Sequence, residues 1–282
     1  MLKIASVQTI TDRLLCLGGV LLGRPDLPEP TGDVAFRIAV SRSDIIAEES
    51  HPSSEIMLPG SVNIWMGPDA HAVSYLLNNN NILNVVLIRE DNKQGLEEVV
   101  YGPQHASLEE LQRAFDGWDP ALRALLDVPG ESTCLKWHML RFNDLDSWRH
   151  EGGGNLCLIG DAAHGMPPYL AQGASQAFED AAVLEAVFAR LSDKTQILDA
   201  LKTFEEVRKP RVSKVKKHTL ARKVIYGMHD GPGQLERDQK LALGPGTGCP
   251  DELADPDFQN WLWGYDAAVD GARVWEQRKP QA

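Results

Sequence analysis

The sequence lacks the features that define several classes of protein. Basic residues are the minority, 28 against 40 acidic ones, and the net charge of −12 argues against a nucleic-acid-binding surface and against anionic membranes. No apolar run approaches the ~18 residues that a membrane-spanning helix needs, and the apolar patch after Met1 is broken too early for a signal peptide. We therefore expect an intracellular, cytoplasmic protein without a membrane span.

Cysteine is scarce as well. The four cysteines form no Cys-x-x-Cys pair, so no structural metal site is predicted. Cys134 and Cys157 stand in apolar, strand-like segments and are expected to be buried thiols. Leu14–Gly23 contains three glycines, but Pro25 and two further prolines follow and forbid the helix that would hold a pyrophosphate. A glycine-rich dinucleotide loop is therefore absent from the sequence.

The most informative stretch present begins with a short apolar run. Leu156–Ile159 is closed by Gly160 and Asp161, a pattern typical of a central strand of a parallel sheet with an acid at its end. Such a carboxylate suits a ligand with hydroxyl groups. The alternative is that Asp161 only caps the local turn.

A loop and a helix follow this strand. Pro167 and Pro168 cannot stand inside an α-helix, so the chain between His164 and Ala171 is predicted to be loop, and from Ala174 onward apolar residues recur at helical spacing. The helix start at Gly173 has free backbone N–H groups and almost no side chain in front of them. Such an end accepts a carbonyl oxygen or a partial negative charge.

The run GDAAHGMPPYLAQGASQAFEDAAVL resembles the second flavin motif of the FAD-dependent aromatic hydroxylases of the salicylate hydroxylase type, which are class A flavoprotein monooxygenases. The resemblance implies that Asp161 binds the ribitol chain of FAD and that the helix N-terminus at Gly173 and Ala174 points at the pyrimidine carbonyl. Pro168 would shape the loop beside the flavin ring. A generic strand–loop–helix of an α/β protein is the alternative. His164 has no second ligand at metal-binding spacing and is interpreted as structural.

Upstream, the pattern predicts a sheet. Thr31–Val40 is strand-like, and three more strands, at 61–67, 70–77 and 82–88, are separated by Gly67-Pro68-Asp69 and by four consecutive asparagines. Short connections of this kind indicate an antiparallel meander. The segment resembles the substrate domain of the same family, although the asparagine run replaces the family's Pro-x-Arg-Gly-Gly. Asparagine tolerates the positive φ of a tight turn.

Two residues of this sheet are candidate catalytic residues. The resemblance to fungal phenol-dearomatising members of the family implies that Arg37 and Tyr75 hold the substrate phenolate. Arginine suits that task because it remains protonated, and a tyrosine hydroxyl can donate or accept a hydrogen bond. A solvated charge for Arg37 and a surface or core role for Tyr75 are the alternatives.

The remaining segments complete the prediction. A capping box at Ser107 opens a helix to about Phe115, a second helix follows Asp119, and a strand covers 134–141. One long helix is predicted from Thr195 to about Tyr226, kinked or restarted at Pro210. Residues 227–256 are interpreted as loop or disordered surface, and Trp261 and Trp263 as residues that dock the C-terminal tail on the core.

Together these segments predict a mixed α/β (α+β) fold, the C-terminal part of a Rossmann-like FAD-binding domain plus an antiparallel-sheet substrate domain. The predicted division is an atypical N-terminal segment at 1–30, a substrate-binding sheet domain at 31–142, an FAD-binding segment with the long helix at 143–226, and a loop and docking tail at 227–282.

The implied activity is hydroxylation of a small aromatic or phenolic substrate, with FAD as cofactor and NAD(P)H and O₂ as co-substrates, through a flavin C4a-hydroperoxide. A role in secondary metabolism is a further expectation. The resemblance covers about residues 24–275 and lacks the family's N-terminal GxGxxG unit, which predicts a truncated product whose strand at Cys157 has an exposed parallel edge. The alternative is a non-catalytic remnant without FAD. An epoxidase or halogenase on the same scaffold is a third possibility. The sequence does not specify the oligomeric state.

Overall fold

The computed structural model describes residues 3–6, 29–46, 52–91, 102–128, 134–150 and 155–278. Leu14–Gly23 and Cys16, considered above, lie outside these ranges. The chain divides into two compact units. Unit 1 comprises Met1–Glu29, Leu140–Ile225 and Leu235–Ala282, and unit 2 comprises Pro30–Met139 and Tyr226–Gln234.

The described residues form eight strands and nine α-helices. The strands are β1 Lys3–Ser6, β2 Glu29–Ser41, β3 Val62–Gly67, β4 Ala70–Leu77, β5 Ile82–Glu90, β6 Gln104–His105, β7 Leu135–Arg141 and β8 Leu156–Ile159. The helices are α1 Arg42–Ile46, α2 Leu108–Ala114, α3 Pro120–Asp127, α4 Asp161–His164, α5 Gly173–Phe188, α6 Ile197–Tyr226, α7 Pro232–Leu241, α8 Pro256–Trp263 and α9 Ala267–Arg278. No helix of the described residues is both long and apolar enough to cross a membrane.

Unit 2 is built on a six-stranded sheet in the order β3-β4-β5-β2-β7-β6. Strands β3, β4 and β5 pair antiparallel with their neighbours along the chain, which confirms the predicted meander. Strand β2 then pairs antiparallel with β5, so that Arg37 lies opposite Val86 and Ala35 opposite Ile88. The sheet thus brings the first strand of the unit next to the third strand of the meander.

One face of this sheet forms the core of unit 2. Val34, Phe36, Ile38 and Val40 alternate along β2 and are buried together with residues of β5, α2 and α3. Because side chains alternate between the two faces of a strand, Arg37 lies on the opposite face. The alternation in the sequence therefore assigns core and site residues to different sides of one strand.

The asparagine run forms the turn between β4 and β5. Asn78, Asn79 and Asn80 have φ of 50°, 53° and 65°, in the left-handed region that asparagine tolerates better than most residues. This confirms the turn prediction.

Helices α2 and α3 begin at the predicted caps. The Ser107 hydroxyl accepts from the Glu110 backbone N–H at 3.1 Å, and the Asp119 carboxylate accepts from the N–H groups of Ala121 and Leu122. The Glu110 carboxylate, however, is bound by Lys136 Nζ at 2.8 Å. The Ser107 half of the capping box is therefore present, while Glu110 links α2 to β7.

Unit 1 contains a second, two-stranded sheet in which β1 and β8 are parallel, with Ile4 opposite Cys157. On its other side β8 forms an antiparallel bridge between Arg149 and Cys157. The expected exposed parallel edge at Cys157 is therefore wrong, because backbone partners flank this strand on both sides. Cys157 is buried, as is Cys134 in unit 2, which confirms both thiol predictions.

The long helix α6 runs without interruption through Pro210 for 30 residues, so the helix does not restart there. The interpretation of residues 227–256 as loop is wrong for Pro232–Leu241, which forms α7. Pro232 occupies the helix start, where a missing N–H costs nothing, and after Gly233 come Gln234–Arg237, all residues with good helix propensity. Arg237 of α7 is buried and donates from Nη1 to the Ile225 carbonyl at 2.8 Å.

The two C-terminal tryptophans behave differently. Trp261 packs against the cluster of Leu170, Val215 and Leu262, which confirms its docking role. Trp263 is 57% exposed, so the same prediction is wrong for Trp263. The two residues lie two positions apart on α8, and residues at this spacing do not share a helix face.

Candidate functional site

The Asp161 loop, defined as residues 160–173, connects β8 to α5. It starts with Gly160, whose φ of 59° and ψ of −146° suit only glycine. Asp161 then opens the one-turn helix α4 with its side chain exposed. A single 3-10 turn, Pro168–Leu170, is the only other regular element before α5, so the prediction that the prolines exclude an α-helix here is confirmed.

The start of α5 faces the same carboxylate. The helix begins at Gly173, as predicted, and a Cβ placed on Gly173 would lie 3.7 Å from Asp161 Oδ1. The side chain of the N-cap residue, Gln172, makes no capping hydrogen bond. Ala174 and Pro168 are exposed beside it. The structure therefore brings Asp161 to the free N–H groups of a 16-residue helix, with little side-chain bulk between them.

Beneath the loop lies a buried carboxylate. Asp180 of α5 accepts three hydrogen bonds: Oδ2 from the Gly160 backbone N–H at 2.9 Å and from His164 Nε2 at 2.7 Å, and Oδ1 from Arg208 Nε at 2.8 Å. The side chains of Asp180 and Arg208 have no exposed surface. Gly160 and His164 flank the two ends of α4, so one carboxylate holds both ends of that helix.

The pKa of Asp180 reflects these partners. Burial alone would raise the pKa of the Asp180 carboxyl, but the hydrogen bond and charge of His164, together with Arg208, outweigh burial and lower the pKa below the ordinary 3.8. The group is therefore an anion at neutral pH, and every hydrogen bond that it accepts is charge-assisted.

Helix α6 also holds the Asp161 loop and the segment before β8, through Arg208 and Glu205. Arg208 also binds the Glu179 carboxylate through Nη1 and the Gln176 side-chain oxygen through Nη2 at 2.8 Å. One turn earlier, Glu205 accepts from the Trp148 backbone N–H at 2.7 Å and from Arg149 Nε at 2.5 Å. Through these contacts α6 holds the segment that precedes β8 and, through Asp180, the loop that follows it.

The second group of predicted residues belongs to unit 2. Arg37 is exposed on β2, and its Nε donates to Asn84 Oδ1 at 2.7 Å. Asn84 lies on β5 directly opposite Tyr75 of β4, and all three residues share one sheet face. Neither the Nη groups of Arg37 nor the Tyr75 hydroxyl makes a hydrogen bond to any residue in the described part of the chain.

A cleft of about 490 Å³ lies on the opposite face of the same sheet. Val34 and Phe36 line it, together with charged residues that include Arg89, Arg113 and Lys136. None of the six predicted site residues lines this cleft.

Several residues that support the site were not predicted from the sequence. Asn84 orients Arg37, and Asp180 and Arg208 hold the Asp161 loop. One signal was available for Asp180. Asp180 occupies the same helix face as the buried Val183 and Leu184, and a charged residue in such a stripe needs a buried partner.

Comparisons with known proteins agree with this architecture. A family model described as an FAD binding domain matches residues 127–219. The FAD-dependent monooxygenase OpS4 of Beauveria bassiana is 39% identical over 250 residues, covering 86% of this chain and 56% of that protein. The salicylate hydroxylase of Pseudomonas putida is 28% identical over 262 residues, and the match covers 89% of this chain and 55% of that protein. The chain therefore spans about half the length of the curated relatives that it matches.

Solved structures share the fold. A salicylate hydroxylase substrate complex superposes with a TM-score of 0.72 at 24% identity, covering 88% of this chain and 57% of that one. CtdE in complex with FAD and a substrate superposes with a TM-score of 0.67 at 15% identity, and the match covers 93% of this chain and 60% of that one. These likenesses confirm the predicted mixed α/β fold. By sequence and by fold, the chain belongs with the FAD-dependent aromatic hydroxylases of the salicylate hydroxylase type.

Proposed function

We propose that unit 1 binds FAD through the Asp161 loop and the N-terminus of α5, and that unit 2 binds a small aromatic, phenolic substrate through Arg37 and Tyr75. The reaction would be an NAD(P)H- and O₂-dependent hydroxylation. The observation that carries this proposal is the exposed Asp161 carboxylate beside the uncapped start of α5, 3.7 Å from the position that a Gly173 side chain would occupy.

The residues of the loop fit the proposed cofactor. An exposed carboxylate can accept hydrogen bonds from the hydroxyls of a ribityl chain, and the free N–H groups at Gly173 and Ala174 favour an electron-rich carbonyl edge. Only small side chains lie there, so a planar ring can approach the backbone closely. Bound FAD would supply electron transfer from NAD(P)H and the activation of O₂, while the chain binds, orients and shields the reactants.

Arg37 and Tyr75 would bind the substrate. A phenolate oxygen could accept from the free Nη groups of Arg37 and from the Tyr75 hydroxyl. The permanent charge of the guanidinium favours the ionised phenol, and the ionised ring is the more electron-rich target for oxygen transfer. Because Asn84 already holds Nε, the guanidinium has a fixed orientation before any ligand arrives.

The cofactor proposal is tested by purifying the chain, recording its visible spectrum and titrating it with FAD. We expect flavin absorption, and we expect Asp161→Ala to raise the FAD Kd about 10- to 100-fold, because a hydrogen bond to a charged group contributes about 1.5–3 kcal/mol. Asp199→Ala removes an exposed carboxylate of unit 1 that binds Lys202 and serves as the control.

Two outcomes would contradict the cofactor proposal. A colourless protein that does not respond to FAD would support the alternative of a non-catalytic chain without flavin. An Asp161→Ala variant that binds FAD as tightly as the wild type would remove Asp161 from the site.

The substrate proposal is tested separately by titration with salicylate as an anionic phenol probe. Arg37→Met should abolish saturable binding. Arg113→Met, which removes an exposed arginine from the cleft on the opposite sheet face, should leave binding unchanged. The reverse pattern would place the ligand in that cleft and refute the roles of Arg37 and Tyr75.

A further inference from the structure

We propose that Asp180 is a positioning residue for the cofactor site: it fixes the Asp161 loop from below and so determines where the Asp161 carboxylate is held. The inference rests on the proposed FAD site, but it concerns a residue that lies under the loop with no exposed surface.

The Asp180 carboxylate binds donors at both ends of α4. Asp180 Oδ2 is shared by the Gly160 N–H and His164 Nε2, at 2.9 and 2.7 Å. Gly160 immediately precedes Asp161, and His164 ends the single turn that Asp161 begins. A four-residue helix is too short to be stable by itself. Ala162 and Ala163 pack the helix into the apolar core of unit 1, and the hydrogen bonds from its two ends to Asp180 fix its orientation there.

Gly160 needs a partner to hold its conformation. Glycine adopts the positive φ found here without steric strain, but it adopts other conformations as readily, so its own backbone does not fix the direction of the chain. The N–H of Gly160 is fixed by the Asp180 carboxylate. Without that acceptor, the chain leaving β8 would be free to take another direction, and the Asp161 side chain would move with it.

Asp180 is itself immobilised. Arg208 Nε holds the second oxygen of the carboxylate at 2.8 Å, and the same guanidinium is bound to Glu179 and Gln176. Both Asp180 and Arg208 lie in helices, which hold side chains more firmly than loops do. Asp180 therefore transfers the rigidity of α5 and α6 to a loop that has little regular structure of its own.

The test compares two neighbouring acids in FAD titrations. Asp180→Asn keeps the shape of the side chain but turns one acceptor into a donor, so it cannot satisfy Gly160, His164 and Arg208 together. We expect the FAD Kd to rise about tenfold, the effect of one weakened hydrogen bond at the site. Glu179→Gln is the control: it weakens the same ionic cluster at Arg208 and Arg211 without touching α4.

A double-mutant cycle separates positioning from general stability. If Asp180 acts through Asp161, then Asp180→Asn should add little to the FAD Kd of an Asp161→Ala variant, because the two residues share one interaction. Effects that multiply would show that Asp180 acts independently of Asp161 and would overturn the proposal. A Glu179→Gln variant that weakens FAD binding as much as Asp180→Asn would also overturn it.

A second measurement needs no cofactor. In the wild-type chain, amide hydrogen exchange at Gly160 should be as slow as in β8, and Asp180→Asn should accelerate it selectively. Fast exchange at Gly160 in the wild type would refute the positioning role of Asp180 even if the variant failed to fold. If the wild type bound no FAD, the proposed function would fail, whereas the exchange at Gly160 would still decide whether Asp180 holds the loop.

Discussion

The two groups of candidate residues are held in place by different means. In unit 1, Asp161 is exposed, but its loop is tied to a fully buried ionic cluster built by Asp180 and Arg208. In unit 2, Arg37 is exposed on a strand, and one neighbour, Asn84, orients it. The first arrangement depends on two helices docking, and the second on the register of two strands.

This difference predicts which mutations of site residues also lower the stability of the fold. A buried ion pair leaves an uncompensated charge when one partner is removed, whereas an exposed charged residue contributes little to folding. Unit 1 should therefore lose its site and its stability together. Unit 2 should be able to lose the role of Arg37 while its sheet remains intact.

The largest expected effect tests the buried cluster. Arg208→Met removes the partner of Asp180 and Glu179 and should lower the free energy of unfolding by about 3–5 kcal/mol. Arg37→Met removes one hydrogen bond, to Asn84, and should lower that free energy by only about 1 kcal/mol. Urea unfolding of both variants measures the contrast, and equal losses would show that the two sites are held in the same way.

A smaller effect is expected at Asn84, which is buried and accepts from Arg37. Asn84→Ala should cost about 1 kcal/mol, the net value of one hydrogen bond, and should accelerate proton exchange at Arg37 Nε in NMR spectra. The double variant with Arg37→Met should be no less stable than Asn84→Ala. Additional loss of stability in the double variant would contradict the hydrogen bond between Arg37 and Asn84.

The smallest effect concerns the buried thiol of unit 2. Burial, with a contribution from the Glu110 charge, raises the pKa of Cys134 from 9.0 to about 11. The unfolded chain therefore loses this proton first, and the stability that the neutral thiol contributes is present below pH 9.0 and lost as the pH rises to about 11. Urea unfolding over this range should show the wild type losing stability relative to Cys134→Ala. If the difference in the free energy of unfolding between wild type and Cys134→Ala stayed constant over this pH range, the raised pKa of Cys134 would be refuted.

Much of the fold follows from local patterns. The apolar run at Thr31–Val40 marked β2, Gly67-Pro68-Asp69 and the asparagine run marked the turns, and the glycine before Asp161 marked the end of β8. These signals work because backbone conformation at turns and strand ends depends mainly on the residues that occupy them.

Other features depend on partners that the local sequence does not specify. The run at 227–256 is rich in glycine and proline, which favours a loop. Pro232–Leu241 is nevertheless a helix, and Arg237 of this helix binds the Ile225 carbonyl near the end of α6. The pairing of β1 with β8 joins residues near the start of the chain to residues near its middle. Asp180 was visible as an acid in an apolar stripe, but nothing in the sequence selects Arg208 as its partner.

The separation between these partners has a consequence for the order of folding. Arg208 meets Asp180 across 28 residues, and Arg211 meets the Leu262 carbonyl across 51. Contacts of this range form only after the intervening chain has been ordered, because loop closure costs entropy before any contact forms. Refolding followed with FAD present should therefore show strand and helix signals first, with cofactor capture as a later and slower phase.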